Sequence, residues 1–446
     1  MTSSVMQRLH NVRQLGLAHL VYPGANYSRF SHSVGACNIA GGLLSAVERN
    51  SGQAIDAIEY QAYRLVALLH DIGHYPFSHA TEVVVSNYYA RGLLVSASDN
   101  GAAASTVARS GAPNSYQHEP LGEYIIRHDD ELGRILKRHG FEPDDIADKF
   151  AKAKPDPLIG VISSDLDCDR LDYLKRTAHN SGAPYGSVDI RFLIDQATTD
   201  LSGQFCFKSK AARAADHLLV SRFYDYMQVP FNKTVAALEW SLTSSLRRLL
   251  EVGELACSGA DVEDMVKSGR WKDFDDQHVI ERFRALNGSS AISPVERDHI
   301  AAILDRRPAK LIAGWDEVIS HDQKGGSPIK KYAANKLLSE VAQELSLDER
   351  RLFIWDTPVY FTKLNIHSMS SEGSEEIAES VLILDEHSNK ADLLARRRDA
   401  LIHRLCSYSM AGLRLYYLPE NGRVSKELKK SLIAKFSKEL GSPVLV

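Results

Sequence analysis

The chain is poor in cysteine: five residues in 446, at Cys37, Cys168, Cys206, Cys257 and Cys406. An odd number at such wide spacing excludes a disulfide framework and a paired-cysteine zinc motif, and it fits reduced thiols in a cytosol. Long apolar runs are missing too. No stretch reaches the ~20 residues that a membrane helix needs. The opening Met-Thr-Ser-Ser has no apolar h-region, so the expectation is a cytoplasmic protein with no membrane partner. No excess of one charge stands out. A net charge of −4 argues against a protein that coats nucleic acid. No internal repeat is visible. What remains is a globular composition, 44% hydrophobic and 25% charged, in a chain long enough for roughly two or three lobes.

The fold class read from the pattern is mainly α with a smaller α+β C-terminal lobe. Residues 1–80 read as helices around a turn at Tyr22-Pro-Gly-Ala-Asn26. Residues 91–116, rich in Gly, Ala and Ser, read as a loop; a lid and a tolerated surface insertion are the two readings of it. Helices resume over 119–150, and 158–176 reads as one amphipathic helix. Residues 211–252 read as two long helices broken at Pro230. After about residue 310, strands are expected at Arg351–Trp355, Val359–Phe361, Ser380–Leu384 and Gly412–Leu418. A helix is expected between the last two, over Asn389–Ala411, and a polar loop at Ser368–Glu375. The resulting division is a core over 1–245, a helical extension over 246–310 and an α+β lobe over 311–446.

Chemistry concentrates in His32, the pair His70-Asp71, and the run Asp167-Cys-Asp169. A single His-Asp pair means little, since it recurs at His128-Asp129 and His321-Asp322. Context carries the signal. Leu65-Val-Ala-Leu-Leu69 before His70-Asp71 reads as a buried helix whose last turn aims two ligands into a pocket. Gly73 then ends the helix or lets a bound group approach. Two imidazoles and two carboxylates suit a divalent metal. On a helix, Asp165, Asp169 and Asp172 share a face and Asp167 is rotated away.

These stretches, in this order, resemble the HD-domain superfamily, and within it the dNTP triphosphohydrolases: the SAM-and-HD-domain dNTP hydrolase and its bacterial homologues without the SAM domain. The resemblance is carried by Arg13-Gln-Leu-Gly16, Tyr22 through Ser33, His70-Asp-Ile-Gly-His-Tyr-Pro-Phe-Ser-His79, His118-Glu119, and Asp165-Leu-Asp-Cys-Asp-Arg-Leu-Asp-Tyr-Leu174. It covers roughly residues 10–240. It implies that 1–245 is an HD phosphohydrolase core with a divalent ion (Mg, Mn, Fe, Ni or Zn) on His32, His70, Asp71 and Asp169. It implies that His74, His79 and His118 surround the scissile phosphate. Glu119 and Glu82 are candidates to orient those imidazoles. Gln14 matches a sugar-hydroxyl contact, Arg29 stands one turn before His32, and Arg170, Tyr173, Arg222 and Lys233 match phosphate- and sugar-side positions. Two departures fall at the sugar: Thr177 where the family has Asp, and Pro230 where it has Tyr.

The implied reaction is attack of a metal-activated water on the α-phosphorus of a deoxynucleoside triphosphate, giving deoxynucleoside and tripolyphosphate. The resemblance further implies a homo-oligomer and a nucleotide activator. Two other readings stand beside it. One is an HD phosphohydrolase of a nucleoside monophosphate, modified nucleotide or signalling nucleotide, favoured by Thr177 and Pro230. The other is a non-enzymatic nucleotide sensor or nucleic-acid binder, against which the full ligand set argues.

Overall fold

The computed structural model describes residues 1–98, 116–320, 326–362 and 380–445. The N-terminal part runs α1 Ser4–Arg8, α2 Arg29–Ser51, α3 Ala57–Leu69, α4 His79–Ser98, α5 His118–His128, α6 Asp130–Arg138, α7 Pro143–Phe150, α8 Cys168–Ser181, α9 Ile190–Asp195, α10 Ala212–Gln228 and α11 Lys233–Glu251. There follow α12 Gly259–Lys267, α13 Asp276–Asn287, α14 Pro294–Leu304, α15 Gly326–Glu344, α16 Ile402–Leu405 and α17 Lys426–Leu440. Helix dominates, as the sequence predicts. Among the described residues no helix is long and apolar enough to cross a membrane.

Local signals place the helices that matter. Ser28 caps α2, accepting from Ser31 N–H, and Gly52 closes it in the left-handed region. Asp56 caps α3. Asp167 caps α8 by accepting from Arg170 N–H. That cap corrects the expected helix over 158–176: the true start is Cys168, and only a 3-10 turn at Ile159–Val161 precedes it. The break at Pro230 holds, with Asn232 capping α11. Helix α4 continues to Ser98, overriding the loop expected from Arg91 onward. Residues 99–115 lie outside the described residues, as does the polar loop expected at 368–375.

The α2, α3 and α8 helices pack closely. Gly35 allows the α2–α8 approach, because a Cβ there would stand 1.9 Å from Asp172 Oδ1. One continuous apolar cluster joins Val5, Leu69, Leu121 and Leu242 to Trp271, Phe283 and Ile303. The helical stretch after residue 245 is therefore fused to the core.

Among the described residues the strands form three small sheets. Antiparallel β3 (Lys310–Gly314), β10 (Arg414–Tyr417) and β5 (Leu352–Trp355) make one, in the order β3-β10-β5; β4 (Glu317–Ser320), β9 (Tyr408–Ala411) and β6 (Pro358–Tyr360) make another, in the order β4-β9-β6. These match the expected α+β lobe. The third sheet, β1-β2-β7-β8, joins β1 (Ala197–Thr199) and β2 (Phe205–Phe207) to β7 (Leu382–Asp385) and β8 (Lys390–Leu393). Strand β2 pairs with β7 in parallel. The C-terminal stretch thus crosses the expected boundary at 311: Val381, Ile383, Leu393 and Ile402 are buried with Leu43, Leu171 and Leu218. The helix expected over Asn389–Ala411 is corrected to β8, the short α16 and β9. Pairing of β9 on both sides, with β4 and β6, outweighs local helix preference there.

Candidate metal centre

Helix α3 ends at Leu69, and His70 and Asp71 project from its C-terminus toward the first turns of α2 and α8. His32, one turn into α2, is fully buried. Its Nε2 lies 2.8 Å from Asp169 Oδ1 and 3.1 Å from His70 Nε2. Asp71 comes within 3.3 Å of His70 Nε2 and 3.9 Å of His32 Nε2. All four sequence-predicted ligands converge; His70, Asp71 and Asp169 line a cavity of about 730 Å³, and His32 is buried behind them.

The donor set fits a divalent cation. His32 Nδ1 donates to Asp172 Oδ2 at 2.7 Å, and His70 Nδ1 donates to the Ala67 carbonyl at 2.8 Å. Both Nε2 lone pairs are thereby turned toward the same point, as buried metal-binding imidazoles require. Asp71 Oδ1 accepts from Arg29 Nη1 at 2.7 Å, while its buried Oδ2 has no hydrogen-bond partner among the described residues. An orphaned carboxylate oxygen beside two imidazole lone pairs is a coordination position. The field agrees. Burial opposes protonation of His32, yet hydrogen bonds to Asp169 and Asp172 push it up to about 10. Burial likewise opposes ionisation of Asp169, yet His32 holds it down at about 2. Charge of positive sign is stabilised at this point.

A second cluster adjoins the first. His74, His79, Glu82 and His118 present donor atoms within 4.8 Å of one another. Glu82 Oε2 accepts from His118 Nδ1 at 3.0 Å and from His79 Nδ1 at 3.2 Å. Burial of Glu82 works the other way, but these two hydrogen bonds hold its carboxyl well below the usual range. The buried His74 stacks on His118 with ring centroids 4.1 Å apart, and its Nε2 lies 3.2 Å from Asp71 Oδ1. Burial, reinforced by Arg29, holds His74 well below the ordinary histidine value, so this ring stays neutral. With one carboxylate already shared by two imidazoles, the cluster is organised for proton transfer.

The turn joining the two clusters is clamped. Phe77 and Ser78 both adopt positive φ, 55° and 57°, which costs of order 1–3 kcal/mol per residue. Asp276 of α13 holds the turn by accepting from Phe77 N–H at 2.7 Å and Arg13 N–H at 3.0 Å. Arg8 donates to the His74 carbonyl at 2.8 Å. Gly73 permits α5 to approach, since a Cβ there would meet the His118 carbonyl oxygen at 2.0 Å.

The basic residues divide. Buried Arg29 is bound to Asp71 and to Ser78 Oγ. Arg170 and Arg222 share Asp165, which also accepts from Thr362 at 2.6 Å. Two guanidiniums share this one carboxylate at the cavity, and Arg222 Nε is buried with no partner among the described residues. Tyr173 and Gln14 line the same cavity, and Gln14 Oε1 is buried with no partner among the described residues. Lys233 does not join them: it is exposed at the start of α11 and outside the cavity lining. Glu119 lines the cavity but bonds to none of the three imidazoles; Glu82 takes that role. Pro230 lines the cavity, whereas Thr177 is fully buried against the Tyr27 hydroxyl at 2.7 Å.

Sequence reasoning left Asp165, Asp172 and Asp276 without roles. Spacing offered a signal for Asp165 and Asp172, which share the face of Asp169, but not for their roles. Asp165 pairs with Arg170 nearby, yet its other partners, Arg222 and Thr362, lie 57 and 197 residues away, and those of Asp276, Phe77 and Arg13, lie 199 and 263 residues away.

Residues 29–168 match the family model described as HD domain. The uncharacterized protein YwfO of Bacillus subtilis is 31% identical over 245 residues, 54% of this chain and 49% of its own. A deoxynucleoside triphosphate triphosphohydrolase SAMHD1 homolog of Dictyostelium discoideum is 26% identical over 54% of this chain and 43% of its own. This chain thus spans about half the length of these curated relatives. The crystal structure of a phosphohydrolase from Bacteroides thetaiotaomicron superposes with a TM-score of 0.65 at 21% identity, covering 94% of each chain, which shows a shared fold.

Proposed function

We propose, from the premise that this is an HD-domain chain, that it is a metal-dependent phosphohydrolase of deoxynucleoside triphosphates, releasing deoxynucleoside and tripolyphosphate. The observation that carries the reading is the convergence of His32, His70, Asp71 and Asp169 beside the imidazoles held by Glu82. A divalent ion on those four ligands would supply Lewis-acid charge and lower the pKa of water. The chain's own groups do the rest. Arg170 and Arg222 bind and neutralise phosphate oxygens. Water attacks the α-phosphorus, and the bond to the nucleoside 5′-oxygen breaks. His118 or His79, each with Nδ1 tied to Glu82, delivers the proton that the 5′-oxygen needs. Neutral His74 holds Asp71 in place. Gln14 meets a sugar hydroxyl with its unpartnered amide oxygen. A homo-oligomer and a nucleotide activator belong to the same reading.

A second reading has support of its own. Lys233 faces away from the cavity, Thr177 is bonded to Tyr27, and Pro230 presents no polar group. These favour an HD phosphohydrolase acting on a shorter phosphate chain, such as a nucleoside monophosphate, or on a modified or signalling nucleotide.

Ion-exchange analysis of products separates the two. Each dNTP and NTP is incubated with the protein and Mg²⁺ or Mn²⁺, beside Asp71→Ala. Tripolyphosphate from dNTPs, absent in the variant, is expected. Intact triphosphates together with cleavage of monophosphates would transfer the assignment to the second reading.

A further inference from the structure

Glu239 is the one cavity-lining carboxylate on α11. It stands four residues after Val235 and three before Leu242, so the three share a helical face, and all three line the cavity. Val235 packs with Ala18 and Leu15, and Leu242 lies in the cluster that holds Leu17 and Phe77. Helix α11 therefore lays this face over the 3-10 turn Gly16–Leu20, which begins two residues after Gln14. The cavity lining is of two chemical kinds. One carries the metal ligands and the arginines. The other is walled by Leu15, Ala18, Val235 and Leu242, and its polar groups include the Gln14 amide and the Glu239 carboxylate.

Glu239 makes no hydrogen bond or ion pair among the described residues. The residue is exposed through the cavity that it lines, and desolvation by the protein around it raises its carboxyl. The other cavity-lining acids stand elsewhere. Asp71 and Asp169 face imidazoles, Asp167 caps α8, Asp225 accepts from Tyr185, and Glu119 sits beside His118 at the start of α5. A carboxylate with neither cation nor donor in an apolar-walled space is a recognition group whose partner is the ligand.

We propose that Glu239 reads the base of the nucleotide and selects guanine. This rests on the nucleotide reading given above. An ionised carboxylate offers two adjacent acceptors and no donor. Guanine alone among the common bases presents two adjacent donors, N1–H and the N2 amino group, on one edge. Adenine and cytosine each pair an amino donor with a ring-nitrogen acceptor that would face the carboxylate. Thymine and uracil place a single N–H between two carbonyls. Each of those leaves an acceptor against an acceptor once the bound ring displaces water, and such mismatches discriminate. The apolar walls suit the faces of the ring.

The test compares guanine with adenine in two assays on the metal-loaded protein: kcat/KM for dGTP and dATP, and equilibrium binding of dGMP and dAMP. Wild type is expected to favour guanine by roughly 10- to 100-fold. Glu239→Gln replaces one acceptor with a donor, which matches N1 and the N6 amino group of adenine, so the preference is expected to cross over to adenine. Glu239→Asp keeps the acceptor pair and is expected to keep guanine first. Equal use of the bases by wild type would overturn the proposal while leaving the triphosphohydrolase reading intact. Equal loss for both bases in Glu239→Gln would also overturn it, because a merely structural role moves both alike. Guanine-selective, Glu239-dependent binding without dNTP hydrolysis would uphold it and overturn that reading. No binding of either nucleotide would remove both.

Discussion

Replacing Asp172 with Asn tests whether the metal centre depends on a residue that never reaches the ion. Asp172 Oδ2 accepts from His32 Nδ1 at 2.7 Å, and Arg176 binds the same carboxylate through Nε and Nη2 at 2.7 and 2.8 Å. His32 is fully buried, so nothing else fixes its ring angle and tautomer as firmly. The amide is isosteric but carries no charge, so it both weakens the orienting bond and makes the imidazole a poorer donor to a cation. Loss of such an orienting partner typically weakens metal affinity 10- to 100-fold, or about 1.4–2.7 kcal/mol. Competition against a metal-sensitive dye at pH 7, with circular dichroism to confirm folding, measures it. Arg176→Ala is the control. It strips the exposed side of the carboxylate but leaves the His32 bond, and an ion pair of this partly exposed kind contributes about 1 kcal/mol or less. Its affinity should fall by no more than about fivefold. A folded Asp172→Asn protein with wild-type affinity would refute the argument that His32 is held for metal by this carboxylate.

Glu82→Gln removes the charge that fixes His79 and His118, and kcat in the product assay should fall by about 10²–10⁴ with little change in KM. The same carboxylate lies below its unfolded value, so its stabilising effect is present above about pH 4.5 and lost as pH falls from there; melts of wild type against the variant should converge in acid. Asp276 behaves oppositely, because burial raises it to about 6 from 3.8. Its contribution is fully present below about pH 4 and declines as pH rises through 6. Against Asp276→Asn, wild type should lose roughly 2–3 kcal/mol of relative stability across that window in denaturant titrations.

The sequence determined the helical class and singled out four candidate metal ligands that the fold brings together. An apolar run ending at His70-Asp71 can form a buried helix with its C-terminal side chains in a cavity, and the structure bears this out. The strands at Leu352–Trp355 and Arg414–Tyr417 were legible because β-branched and aromatic runs between polar segments leave few alternatives. The start of α8 was not, because apolar spacing runs on through Leu158–Leu166 and only the Asp167 cap marks the boundary. Strands β8 and β9 were hidden for a different reason: their state depends on partners, β7 for one and β4 and β6 for the other.

At the site the same division holds. Identity, order and helical phase sufficed for His32, His70, Asp71 and Asp169, since ligand chemistry is carried by the side chain itself. Three choices belonged to tertiary structure: Glu82 over Glu119 as the anchor of the imidazoles, Arg170 and Arg222 over Lys233 in the cavity, and Asp276 as the clamp of a strained turn. Each turns on which way a side chain faces once α11, α13 and the helices around the metal centre pack. Spacing along a chain encodes a helix face, but contact between faces distant in sequence is decided only when the whole apolar core closes.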